Sequence, residues 1–122
     1  MSEYPLPSID FIAGLVNRSG NFLWVKQKNQ EVPVFQIKME LSEIELLEII
    51  KEKLGLKEVI HQYTHQKRSY GLLLVRRRAT IETIIIPIFD QRLFGSKKVQ
   101  FEEWKTKYYT KKLEFVYKQH QR

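Results

Sequence analysis

The spacing of apolar positions changes repeatedly along this chain, and each change predicts an element. Pro5 and Pro7 give an extended lead-in, Ser8 is a good N-cap and Asp10 suits a first turn, so an apolar helix is expected from Ile9 to about Arg18, stopped by Gly20. Phe22, Leu23, Trp24 and Val25 then predict a strand over Asn21 to Lys28, with Lys28-Asn29-Gln30-Glu31 as its turn and a return strand from Pro33. In that return strand Phe35, Ile37, Met39 and Leu41 alternate with Gln36, Lys38 and Glu40, the signature of a half-buried strand. Ser42 and Glu45 have capping-box spacing before a helix carried by Ile44, Leu46, Leu47, Ile49, Ile50 and Leu54 and ended by Gly55.

A second hairpin is expected from Val59 to Thr64 and from Tyr70 to Arg77, around a polar turn at residues 65–69. Ala79 to Ile86 returns to helical spacing until Pro87, which is expected to break it. Phe101, Trp104, Tyr108, Leu113 and Val116 fall on roughly one side of a lysine-rich helix over about residues 99–118. The order predicts an α+β fold with a four-stranded antiparallel sheet, in one domain spanning residues 1–122.

Composition narrows the function. A chain of 122 residues that is 43% hydrophobic can bury a core, has no apolar run long enough for a membrane span, and with no cysteine has neither disulfides nor a thiolate nucleophile. The three histidines, His61, His65 and His120, cannot close a four-ligand metal site alone. No secretory signal is read at the amino terminus, where Glu3 and Asp10 flank two prolines. The formal charge of +7 points to a polyanionic partner, nucleic acid above all. From Lys57 to Arg78 six Lys/Arg stand against Glu58, and from Lys97 to Arg122 eight stand against three acids. The second hairpin and the last helix are therefore expected to carry the phosphate-binding surface.

The segment Phe11-Ile12-Ala13-Gly14-Leu15-Val16-Asn17-Arg18-Ser19-Gly20-Asn21-Phe22 resembles the motif that names the LAGLIDADG homing endonucleases and intron maturases. Phe35-Gln36-Ile37-Lys38 leading into Leu46 to Gly55 is similar to the family's second strand and second helix, and Ile86-Pro87-Ile88-Phe89-Asp90 followed by Ser96 to Lys105 to its late signature. The resemblance implies an αββαββα fold with helices on one face of the sheet. It also implies a homodimer through the first helix, in which Ala13 and Gly14 let two helix backbones approach, and a saddle of two sheets over DNA.

Cleavage in the family needs carboxylates at the motif end, because hard oxygen ligands hold the divalent metals. Those positions are Asn17 and Ser19 here, and Met39 stands where the family tends to be polar. Glu40, Glu43, Asp10 and Asp90 have ordinary roles on strand surface, at helix termini or in turns. The expectation is a cleavage-dead homologue with no catalytic residue, metal or cofactor. Lys97, which resembles the family's active-site lysine, is then expected to contact phosphate.

Nucleic-acid contacts are expected from Lys26, Gln27 and Lys28 in the first hairpin and from Gln36 and Lys38 in its return strand. Gln62, Thr64, Lys67 and Arg68 are expected to add contacts from the second hairpin, Arg76 and Arg78 from one side of the fourth strand's end, and Lys97 and Lys98 from the loop before the last helix. With the register set by the motif glycine, Leu23 and Val25 also point outward. That part of the face has ceased to read DNA, packs against protein, or touches thymine methyls. The leading reading is a non-catalytic nucleic-acid-binding protein, of the RNA-binding maturase type or a structural, for instance ribosomal, component of a ribonucleoprotein. The alternatives are an active homodimeric endonuclease and a palindrome-binding DNA repressor. Partners are thus RNA or duplex DNA, with a second copy or a protein neighbour on the first helix, and no membrane. Abundant Ile and Lys fit an AT-rich coding genome and an intracellular setting such as a mitochondrion or chloroplast.

Overall fold

The computed structural model of the protein describes residues 5–120, with side chains as far as Glu114. Its elements are α1 (Ile9–Ser19), β1 (Gly20–Gln27), β2 (Gln30–Glu40), α2 (Ile44–Leu54), β3 (His61–His65), β4 (Arg68–Val75), α3 (Arg78–Thr80), α4 (Ile86–Phe89) and α5 (Gly95–His120). All strands pair antiparallel in the order β1-β2-β4-β3. The expected α+β architecture, with a four-stranded sheet and helices packed on one face, is the one observed.

Several elements begin as their local chemistry dictates. Ser8 caps α1, its Oγ accepting from the Phe11 N–H at 3.1 Å. Gly55 ends α2 in the left-handed region at φ 71°, with the Leu56 N–H donating to the Lys51 carbonyl at 3.0 Å. Gly20 is required for space, since a Cβ there would lie 2.6 Å from Val16 Cγ1 and 2.9 Å from the Val16 carbonyl oxygen. The motif glycine therefore lets β1 leave α1 without a gap.

Other expectations are corrected. Ser42 is no N-cap: it lies in a 3-10 turn over Leu41–Glu43, and α2 starts after Glu43 with no side-chain cap. Both hairpin turns are shorter than the polar runs suggested. Gln27 pairs with Gln30, and His65 with Arg68. Lys28, Gln66 and Lys67 take positive φ in place of the glycines such turns usually use. β4 stops at Val75, β3 starts at His61 and α5 starts at Gly95, ahead of the expected residue 99. Pro87 does not break its helix. A π-helical turn over Ile81–Ile85, closed by the Ile86 N–H on the Ile81 carbonyl, precedes it. Pro87 then falls in the first turn of α4, where no intrahelical donor is needed.

The core lies between the sheet and its helices. Phe22 of β1 sits at its centre, with ring centroids 5.2 Å from Phe35, 5.0 Å from Phe101 and 5.2 Å from Trp104. The Trp104 indole donates to the Leu23 carbonyl at 2.9 Å, so the ring is buried without losing a hydrogen bond. Phe101, Trp104 and Tyr108 fasten α5 to the core, whereas Leu113 is 71% exposed and Val116 lies beyond the residues whose side chains are described.

Candidate nucleic-acid interface

Strand register divides the candidate residues between two faces. Phe22 opposes Phe35 and both are buried in the core, so Asn21, Leu23, Val25 and Gln27 take the other face with Gln30, Val32, Val34 and Gln36 of β2. Gln36 lies beside Leu74, Lys38 beside Leu72, and Glu40 beside Tyr70. β3 adds His61, Tyr63 and His65 to this helix-free face. Gln27, Gln36, Lys38, Leu23 and Val25 thus stand where the sequence placed them.

Gln62 and Thr64 do not. Gln62 opposes Gly71, where a Cβ would meet Ile44 and Leu47 of α2, so both residues face the helical side. Every residue of β3 is exposed, and a five-residue strand without alternation gives no register from sequence. Lys26 also leaves the reading face, because it pairs with Glu31 on the Phe22 side. Arg76 and Arg77 follow the end of β4 and Arg78 opens α3, so the expected sharing of one strand side by Arg76 and Arg78 does not hold. Arg78 instead lines an open cleft of about 510 Å³ with Lys26, Gln30, Glu31 and Lys111.

Four lysines of α5, Lys105, Lys107, Lys111 and Lys112, are engaged in intramolecular ion pairs. Lys105 binds Asp90 at 2.8 Å and Glu102 at 3.1 Å, which raises its pKa, the Asp90 hydrogen bond contributing most. Lys107 pairs with Glu31 and Lys112 with Glu82. The helix packs on the side of the sheet opposite the candidate readers. Lys118 and Arg122 lie outside the residues whose side chains are described. Among the described residues, exposed cations near the free face include Lys28, Lys38, Lys67, Arg68 and Arg76, with Lys98 exposed at the start of α5.

At the end of α1 three elements converge. The Asn17 side-chain oxygen accepts from the Phe94 N–H at 2.7 Å. Lys97 donates to Asn21 at 3.1 Å and to Gln100 at 3.2 Å, and Gln100 also accepts from the Phe22 N–H at 3.1 Å. Burial holds the Lys97 ammonium below its ordinary pKa. Ser19 lines a groove of about 610 Å³ with Arg18, Lys38, Met39, Glu40 and Glu43. On α1 itself Ala13 is buried in its own core and Gly14 is exposed, with nothing within 4 Å of its would-be Cβ. Phe11 on the same helix is 52% exposed. Of the two residues expected at a helix-helix contact, only Gly14 is open to one.

Comparison with known proteins gives this geometry a family. The sequence model of the LAGLIDADG endonucleases matches residues 12–108. The chain belongs to that family. The solved structure of the I-SmaMI LAGLIDADG homing endonuclease bound to cleaved DNA superposes with a TM-score of 0.72 at 25% identity, over 87% of this chain and 37% of that one. I-LtrWI bound to target DNA gives 0.70 at 25% identity, over 91% of this chain and 38% of that one. I-SmaMI with uncleaved DNA and calcium gives 0.72 at 26% identity, over 86% and 37%. The chain therefore spans little more than a third of the length of these relatives. No curated protein matches it significantly.

For a LAGLIDADG protein the question is whether the motif end suits the family's divalent metal. Ser19 offers a neutral hydroxyl, and the Asn17 oxygen is already used by Phe94. Glu40 and Glu43 enter the same groove from β2 and the turn after it. Among the described residues no three His, Asp or Glu side chains converge as a metal would require. At the motif end itself, a hydroxyl and an engaged amide oxygen do not supply the carboxylate that a hard divalent cation prefers. Sequence reading missed two features: the Asn17–Phe94 bond, which depends on a contact 77 positions away, and the placing of Leu72 and Leu74 of β4 on the same sheet face as Leu23 and Val25.

Proposed function

We propose that this chain is a nucleic-acid-binding LAGLIDADG protein that does not cleave. The observation that carries the reading lies at the motif end: neutral Ser19 stands where the family's metal-holding acid would be and neutral Asn17 at the preceding acidic position, while the helix-free face keeps its exposed cations. The helix α1 supports a twofold homodimer, since Gly14 leaves room for a second backbone and Phe11 offers apolar surface beside it. Lys97 acts as a positioning residue that ties Asn21 to Gln100.

The test is binding of the purified protein to duplex DNA, structured RNA and single strands over a salt series, with Mg²⁺ or Mn²⁺ present and products scored. Binding without cut strands is expected. Site-specific double-strand cuts would establish the active endonuclease instead. Ser19→Asp alone should not restore full activity, because Met39 still puts a thioether beside the groove.

A further inference from the structure

We infer that the outer edge of β3 pairs with a second copy of this chain, the two strands joining antiparallel about a twofold axis at Tyr63 so that one sheet runs through both copies. The four-stranded sheet has two edge strands, β1 and β3. Side chains of α5 take up backbone groups of the first, Gln100 accepting from the Phe22 N–H at 3.1 Å and Trp104 donating to the Leu23 carbonyl at 2.9 Å. Among the described residues no side chain bonds the backbone of β3, and all five of its residues are exposed. An open edge presents unpaired N–H and C=O groups to an incoming strand, and folded proteins usually blunt it with lysine, proline or a bulge. His61-Gln62-Tyr63-Thr64-His65 contains neither lysine nor proline, and its register with β4 runs without a bulge.

Charge selects the second copy as the occupant. Two chains of formal charge +7 repel wherever their cations meet, but β3 carries no formally charged side chain. The nearest opposite charges flank it, Glu58 before the strand and Lys67 after it. An antiparallel pair crosses its ends, so Glu58 of each copy comes to the Lys67 end of the other and the attraction is made twice. Lys57 lies further from the axis than Glu58, and Arg68 is one strand further in, on β4. This register sets His61 opposite His65 of the second copy on the helix-free face. On the helical face it sets Gln62 opposite Thr64, where amide and hydroxyl can hydrogen-bond. α1 packs under β1 and β2, so the β3 contact is separate from any pairing through α1. A five-residue edge buries less than the roughly 1,200 Å² of a stable interface, which makes the pairing weak and reversible.

Disulfide trapping tests both the contact and its register. The chain has no cysteine, so a crosslink reports only an introduced thiol. Residues opposed across an antiparallel pair have Cα atoms about 4.5–5.5 Å apart, within disulfide range. The variants are made in a Gly14→Leu background, chosen to block pairing through α1, and oxidised without nucleic acid. Tyr63→Cys should form a disulfide dimer roughly tenfold faster than Val59→Cys, because pairing raises the effective concentration of facing thiols. Val59 is 68% exposed but does not face its own counterpart in this register. Tyr63 also stacks on Tyr70 at a centroid distance of 5.6 Å, so a second pair of variants keeps that stack. His61→Cys mixed with His65→Cys should yield the mixed dimer in preference to either like dimer. Gln62→Lys with Thr64→Lys, which sets like charges opposite each other, should slow the Tyr63→Cys crosslink to the Val59→Cys rate. Equal rates at positions 63 and 59, or like and mixed dimers in statistical proportion, overturn the inference and leave the nucleic-acid reading untouched.

Discussion

Asn17, a neutral side chain at the motif end, has a structural task. Its amide oxygen holds the backbone of Phe94, and so ties α1 to the start of α5. Asn17→Ala should cost about 0.5–1.5 kcal/mol in urea unfolding, a typical net hydrogen bond, without changing affinity for duplex DNA. Glu82 works through pH. Its hydrogen bond with Lys112, and then that with Tyr108, lowers its pKa from 4.5, so the stabilisation is complete above 4.5 and is lost as pH falls through the lower folded value. Glu82→Gln should flatten this acid limb, as read by urea midpoints at neutral pH and below 4.5. Tyr108 acts at the opposite end. Burial, and next the Glu82 hydrogen bond, raise its pKa from 10.0, so its contribution is lost as pH climbs above that value.

Among the elements, α1 divides its small residues between two tasks. Ala13 fills its own core, and Gly14 leaves an open surface strip. Gly14→Leu should keep the monomer folded, since no atom lies within 4 Å of the new Cβ, yet abolish self-association in sedimentation. A wild-type monomer at tens of micromolar would show that this face does not pair two copies. The helices and the long alternating strand β2 were legible because apolar periodicity is a local property. Hairpin turns of two residues without glycine were not, because positive φ at Lys28, Gln66 and Lys67 is imposed by strand pairing. Pro87 misled for a similar reason: the π-helical turn before it removes the need for its missing donor.

Across the whole molecule, charge separates into an internal and an external set. Lys107 belongs to the first through Glu31, and Arg68 to the second. Arg68→Gln should therefore weaken binding to all sequences and reduce the salt slope by about one unit, while Lys107→Gln should leave that slope unchanged. Equal slopes for both variants would contradict this division. Linear counts of lysine could not reveal it, since Glu31 and Lys107 are 76 positions apart. Sequence alone determined the family, the α+β order and the neutral residues at the motif end, because each is written in residue identity and local spacing. Tertiary structure decided which face each candidate presents: strand pairing sends Gln62 to the helices and sets Leu74 beside Gln36 and Leu72 beside Lys38, and no local pattern in β3 or in the basic helix could set that register.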